Sequence, residues 1–597
     1  MINLGLGVAW AFGKINRFVS NMILAFRARV YADNGVFEAP ACLAAQLEEL
    51  RKDQLLSSAS FLVTPNAVEE NKLFAIVPSS GAGDLDVVRA TTATRVNSDG
   101  LIEQVPYNLA TYSEDFSNVI WSKVATTITT NSVNAPNGTL TADTFIANGT
   151  TSAKLITGGF SVTLGTTYSI SVFVKKNTNN FVQLIGASGT FGSNVWANFD
   201  LNNGVIGTIG SSATATITDF GNDWYRCVIV GTATASTTPA FSIGLITSAT
   251  SARAESNTLS TSVYLWGAQL VTGTSAKEYF PTTDRLDVPR LDYTNSTCPS
   301  ILVEPQRTNL VTYSEDFSNA AWVKDAGVTV TPNSIISPSG IQNADLIQFS
   351  AGNKEIKQTI SSTTGGTASI YIKGTAGQTI KFGVAGDDSI YTLNGEWQRL
   401  TKVFTITTTR ITINTYTSVT ARDIYVWGAQ LEAGSNATSY IPTVASSVTR
   451  NLDVFSTTNL ISKGLIVNDY TLFLDITNPS LGSQYILDPR DISNIRTGIL
   501  RVSGTNATLS DITGGSTLTM LNALTLGKAK MCAKRTGNVI SFFTNGVKFA
   551  STTTTTAGTI NNLQTGVGNS ANSSFINSII LFPTALTDAE CIALTTL

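Results

Sequence analysis

Residues 108–118 read NLATYSEDFSN and residues 309–319 read NLVTYSEDFSN, an offset of 201, with a tryptophan after each copy, Trp121 and Trp322. YLWGAQL at 264–270 matches YVWGAQL at 425–431 at an offset of 161, as YFPT at 279–282 matches YIPT at 440–443. Between these landmarks Trp224 and Trp397 stand 173 apart, so the second copy loses 28 residues before that tryptophan and 12 after it. Trimmed connections on fixed landmarks are how loops and edge strands vary around one core. The spacing is too long for a short-period solenoid and marks the tandem duplication of a whole domain. The copies are expected at 108–290 and 309–445.

Within each copy the pattern is strand-like. Residues 167–174 (TYSISVFV), 225–230 (YRCVIV) and 368–372 (ASIYI) alternate with period two, and turn signals such as Leu393-Asn394-Gly395 part them. Many short strands without long helices imply a mainly β protein, with the copies folded as antiparallel jelly-roll β-sandwiches whose first and last landmarks lie close together. A third β unit is expected over 446–597. It carries the strand 469–475 and a hairpin over 539–549 tipped by Asn545-Gly546, the strongest short hairpin signal. Thr587 and Glu590 form a capping box for a last helix. Residues 291–308 read as an extended linker. Residues 1–107 read as a mixed, partly helical attachment and oligomerisation region, with an amphipathic helix at 39–56 whose stripe includes Leu43, Leu47, Leu50 and Leu55. Further apolar patches lie at 4–12 and 22–26.

Composition removes many functions. The 597 residues contain no histidine, which excludes Ser-His-Asp and Cys-His catalysis and every histidine metal site. Charged residues make up only 13%, and a net charge of -3 gives no footprint for nucleic acid. No apolar run reaches the roughly 18 residues of a membrane span, and no export signal is evident. The scattered cysteines (Cys42, Cys227, Cys298, Cys532 and Cys591) read as mostly buried thiols of a chain folding in a reducing compartment.

Several phrases carry a family resemblance: ATRVNSDGLIEQVPYNL (93–109), TYSEDFSN with its tryptophan, FDLNNG (199–204) followed by DWYR (223–226), and WGAQL with Y-x-P-T. They resemble modular fibre, spike and tail proteins of bacteriophages, especially phages of Bacteroidetes hosts. The resemblance implies carbohydrate-binding-module jelly rolls in the repeats and a concanavalin A/laminin-G-like domain at the C-terminus. The second copy departs from it: Trp397-Gln398-Arg399 remains, but FDLNNG has no counterpart.

The tryptophans Trp121, Trp266, Trp322 and Trp427, matched in both copies, fit core packing better than ligand contact. Trp196 has no partner in the second copy and is the candidate ligand residue. Glu114-Asp115 and Glu315-Asp316 are adjacent, and neighbours on an extended chain face opposite ways, so neither pair flanks a glycosidic bond. Asp115 and Asp316 are expected to cap the turn that follows. Asp488-Pro489-Arg490-Asp491 reads as a solvated turn rather than a calcium site. No catalytic, cofactor or metal residue is expected.

The resulting expectation is a non-enzymatic virion fibre or spike, made in the bacterial host cytoplasm and binding host-surface saccharide. It self-associates, as a homotrimer by resemblance, and meets other virion proteins through residues 1–107. Strung in series, the third unit is expected to lie farthest from the particle and to carry the main saccharide site. A head or neck decoration protein and a polysaccharide-degrading tail enzyme are the competing readings.

Overall fold

The computed structural model describes residues 17–33, 35–52, 55–416, 420–477, 484–493, 499–503, 506–510, 517–520, 528–553, 559–565 and 573–596. The chain is mainly β, and two compact units divide it. One is built chiefly on Pro106–Arg285, the other chiefly on Phe37–Val105 and Leu286–Leu597.

The first module forms two antiparallel sheets. One runs Thr214–Asp219, Trp224–Thr232, Thr167–Lys176, Ser262–Thr272, Ala142–Ala147, Thr126–Val133. The other runs Val205–Ile209, Trp196–Asp200, Phe181–Gly186, Phe241–Leu245, Ser152–Gly158, with Trp121–Val124 and Ser256–Asn257 also paired to Ser152–Gly158. Alternate residues of both sheets turn inward, as period-two patterning requires. Phe116, Trp121, Ile170, Val172, Leu184, Phe199, Ile229 and Leu265 are among those that fill the space between. This is a jelly-roll sandwich.

The second module repeats that strand order in one continuous eight-stranded sheet. The chain that in the first module leaves one sheet after Gly158 and enters the other at Thr167 is here one strand, Glu355–Gly374. It bends where the register slips, between Thr359 and Thr363 and again between Thr364 and Gly366. Gly365 supplies a φ of 70° at the bend, a conformation glycine adopts without steric cost. Gln398–Asn414 likewise replaces Trp224–Thr232 and Phe241–Leu245. The missing residues are now visible: among the described residues the second module has no counterpart of the short helix Ser188–Phe191, of strands Val205–Ile209 and Thr214–Asp219, or of the loop holding Ser256–Asn257.

Outside the repeats the structure draws the chain differently from the sequence reading. Strand Ser574–Phe582 pairs on one edge with Tyr470–Thr477. Its other edge takes Phe61–Glu69 (Phe61 opposite Leu581) and Ser300–Val303 (Ile301 opposite Ile576). Residues expected in an attachment region, a linker and a third unit therefore share one sheet. Segment 291–308 is not a free linker, because Leu291–Asp292 and Ser300–Val303 are laddered. The serial arrangement that placed 446–597 farthest from the N-terminal region also fails, since strands from both ends are neighbours. Even the stretch expected to lead into the first module packs elsewhere: Ala93–Val96 and Ile102–Val105 form a hairpin. Its Thr94 Oγ1 donates to Tyr440 O, and Ile102 joins Trp427 and Tyr440 of the second module.

An ionic centre ties these pieces together. Arg89, Arg290, Arg450, Glu304 and Asp453 are buried. Arg89 meets Asp453 at 2.8 Å, Arg290 meets Glu304 at 2.7 Å and also Asp453, and Arg450 meets Glu304 at 2.8 Å. Burial alone pushes the Glu304 carboxyl up, but Arg450 and Arg290 hold it well below the usual carboxylate range.

Three further expectations are corrected. Cys42 and Cys298 are joined in a disulfide across 256 residues, because helix Pro40–Lys52 and the approach to Ser300–Val303 meet, while Cys227, Cys532 and Cys591 are buried thiols. Leu43 and Leu47 are buried within the chain, as are Ile23 and Phe26 of helix Arg17–Ala32, so they offer no free stripe for self-association. The 4–12 patch lies outside the described residues. Asp488 is no solvated turn: it is buried in strand Gln484–Arg490 and pairs with Arg490 at 2.9 Å. The Asn545-Gly546 hairpin and the Thr587/Glu590 capping box form as read.

Candidate functional site

The landmarks shared by the two copies form a scaffold. Asn108 is buried, and its Nδ2 donates to the carbonyls of Ala268 and Phe280 while Oδ1 accepts from the amides of Ala110 and Leu270. Asn309 makes the same four bonds with Ala429, Ile441, Val311 and Leu431. One side chain thus clamps the first landmark to the last. Trp121 and Trp322 are buried, and each donates Nε1–H to the carbonyl of a tyrosine in the left-handed region, Tyr112 (φ 49°) and Tyr313 (φ 47°). Trp266 and Trp427 are buried against Tyr279 and Tyr440. Trp121 and Trp322 fill the sandwich cores as expected, whereas Trp266 and Trp427 are buried outside them, in small clusters with Phe173 and Tyr279 and with Ile102 and Tyr440.

The paired carboxylates diverge as expected. Asp115 Oδ1 accepts from the Ser117 amide and hydroxyl, and Asp316 from the Ser318 hydroxyl and Asn319 amide, closing the turn. Glu114 turns the other way to the Tyr279 hydroxyl, and burial raises its carboxyl to about 7. Asp143 and Asp345 were not singled out from sequence. Each accepts the amides of two distant residues, Phe116 and Asn131 or Phe317 and Asn333, and burial raises each to about 6 despite those bonds. The FDLNNG segment is likewise structural. Asp200 caps the turn through the amides of Asn202 and Asn203, and a Cβ on Gly204 would lie 2.8 Å from the Tyr225 ring.

What differs between the copies is the outer face of one sheet. In the first module Ala197 and Phe199 face the core, so Trp196 and Asn198 face out, opposite Ile185 and Gln183. Asn198 donates to the carbonyls of Ala249 and Ser251, and Gln183 donates to Ala252 O and accepts from the Ala254 amide. These buried amides staple loop 247–255 across the face, and Glu255 closes the loop on Thr247. Trp196 is half-buried, with the backbone of Gly210 against its indole nitrogen, where a Cβ would lie 2.7 Å away. Its Nε1 has no hydrogen-bond partner among the described residues. Arg253 of the loop reaches Gly186 O, one residue beyond the cross-strand partner of Trp196.

The ladder places Asp388 of the second module where Trp196 stands: Ile185 pairs with Ser242 and Trp196, Gly383 with Thr412 and Asp388. That face satisfies itself. Lys381 meets Asp388 at 2.8 Å, Lys357 meets Glu355 at 2.6 Å, Asn414 donates to Asp388, and Thr412 donates to Glu355. Among the described residues no group of acidic or cysteine side chains suits a metal ion, and no helix is long and apolar enough to cross a membrane. Sequence reasoning found Trp196 through its lack of a counterpart. It missed Gln183, Asn198 and Arg253, whose shared position follows only from strand register.

No family model and no curated protein matches the chain. Among solved structures it is similar to the CBM40 domain of a Ruminococcus gnavus IT-sialidase bound to α2,3-sialyllactose, at 15% identity, covering 22% of this chain and 84% of that one, with a TM-score of 0.20. It is also similar to a botulinum neurotoxin serotype D binding domain, at 9% identity over 24% and 40% of the two chains, TM-score 0.20. A SAP-like pentraxin from Limulus polyphemus matches at 13% identity over 22% and 70%, TM-score 0.19. At these scores the likenesses say nothing about a ligand.

Proposed function

We propose that this chain is a structural protein of a bacteriophage particle, a fibre or spike that binds host-surface glycans through its β-sandwich modules without catalysing a reaction. It works as a homotrimer, joins other virion proteins through residues 1–107, and is made in the bacterial host cytoplasm. The observation that carries the glycan reading is the divergence of two equivalent faces in a duplicated domain. One neutralises its own charges; the other bears a half-exposed indole beside a stapled loop rich in hydroxyls. Aromatic rings suit sugars, which present apolar ring faces and hydroxyls together. The phage reading rests on the resemblance carried by the repeat phrases. Three copies per particle site would raise the avidity of a weak single site by roughly 10²–10⁴.

The test uses the full-length protein. It should bind immobilised bacterial surface polysaccharide, block phage adsorption when added in excess, scatter light as a trimer, and leave polysaccharide chain length unchanged. No glycan bound and no effect on adsorption would sink the reading in favour of a decoration protein.

A further inference from the structure

We propose that the outer face of the first module takes an acidic saccharide, a sugar carrying a carboxylate, with Trp196 as the stacking platform and Arg253 as the anion-binding group. The proposal rests on the glycan-binding reading and names the ligand class of that site.

Every strongly buried arginine of the ionic centre has a carboxylate partner, and Arg226 and Arg399 lie over the rings of Phe173 and Tyr371. Arg253 has neither. One Nη atom donates to Gly186 O, its Nε is buried without a partner, and among the described residues no carboxylate lies within ion-pair distance. The nearest acid in sequence, Glu255, is held by Thr247. A half-buried guanidinium that no carboxylate neutralises suits an anion at its Nη groups, whose planar fork matches a carboxylate in two parallel hydrogen bonds.

The surroundings define what carries that anion. The guanidinium is anchored beside the strand position facing Trp196. The covering loop supplies the hydroxyls of Thr247, Ser248 and Thr250 and is fixed from below by Gln183 and Asn198, so little ordering remains to oppose binding. A ring platform, hydroxyl-bearing rim and single cation describe a sugar acid better than a bare anion, which needs no platform. Among the described residues the second module shows no such loop, and it fills the equivalent position with Asp388, whose carboxylate is already paired with Lys381.

Titration calorimetry on the full chain would use trisaccharides of galacturonate, glucuronate and mannuronate, each beside its carboxyl-reduced neutral counterpart. At least one acidic trisaccharide should bind ten- to hundredfold more tightly than its neutral partner, with the preference falling as salt rises. Arg253→Gln should abolish the preference and keep the neutral affinity, Arg253→Lys should retain part of it, and Trp196→Ala should weaken both ligands. An unchanged melting temperature in each variant shows that the fold is intact. Equal acidic and neutral affinities in all three pairs, or a preference that survives Arg253→Gln, would overturn the inference. If whole polysaccharide binds while none of these trisaccharides does, the site assignment falls and the glycan-binding reading stands.

Discussion

Asn108 and Asn309 show how much one side chain decides, because all four hydrogen-bonding positions of each buried amide are filled by backbone groups from opposite ends of its module. Asn108→Asp keeps the shape but turns two donors into acceptors aimed at two carbonyls. We expect a loss of about 2–5 kcal/mol from the first module, read as a lower urea midpoint, and an unchanged midpoint would show that the clamp is dispensable. Buried carboxylates packed around the two landmark turns set a pH dependence. Asp143 and Asp345 titrate near 6 and Glu114 near 7 in the folded chain, against roughly 4 unfolded. A raised folded value means that the native state holds the proton more tightly, so their contribution is complete below pH 4 and is lost as pH rises toward 7. Glu304 is shifted the other way and loses its contribution only below its unfolded value. The melting temperature should therefore fall between pH 5 and 7, and Asp143→Asn with Asp345→Asn should flatten that slope. A melting temperature that climbs over this range would contradict the assignment.

Strands whose signal is local were legible in the sequence. The alternations at 167–174 and 225–230 lie in Thr167–Lys176 and Trp224–Thr232, and the Asn545-Gly546 turn has the positive φ values, 47° and 79°, that its dipeptide implies. The trimmed offsets correctly marked lost edge elements. Strands Phe61–Glu69 and Ser300–Val303 were not legible as partners of Ser574–Phe582. Their partners lie hundreds of residues away, and an apolar run gives no register. The Trp196 face was half legible, through a missing counterpart, while its supporting amides became visible only once the ladder aligned them. The disulfide was hidden for the same reason: nothing local links Cys42 to Cys298. It makes a direct expectation. Denatured chain without reductant should take up iodoacetamide at three cysteines, and at five after reduction. Five labelled in both cases would remove the crosslink; if it is present, reduction should cost about 2–5 kcal/mol by freeing the unfolded chain.

At the scale of the whole molecule, the sheet around Ser574–Phe582 sets which pieces are independent. Pro106–Arg285 has its own two-sheet core and both ends of its clamp, so a fragment of those residues should fold by itself. A fragment of 446–597 lacks Phe61–Glu69 and Ser300–Val303, leaving one edge of Ser574–Phe582 without its ladder. It also strands Arg450 and Asp453 without Arg89, Arg290 and Glu304. A broken buried ion network costs about 3–5 kcal/mol, and an exposed apolar edge invites association with other chains. We therefore expect the 106–285 fragment to be monodisperse with a cooperative thermal transition, and the 446–597 fragment to aggregate or lack one. Adding residues 55–105 through a flexible link to 286–597 restores Phe61–Glu69, Ser300–Val303 and every charge of the network, and should restore the transition. Recovery by that chimera separates loss of sheet partners from a generally poor fragment. A 446–597 fragment that melts cooperatively as a monomer would instead mean that the borrowed strands are an addition to a complete sandwich, and would return the C-terminal region to the status of a separate domain.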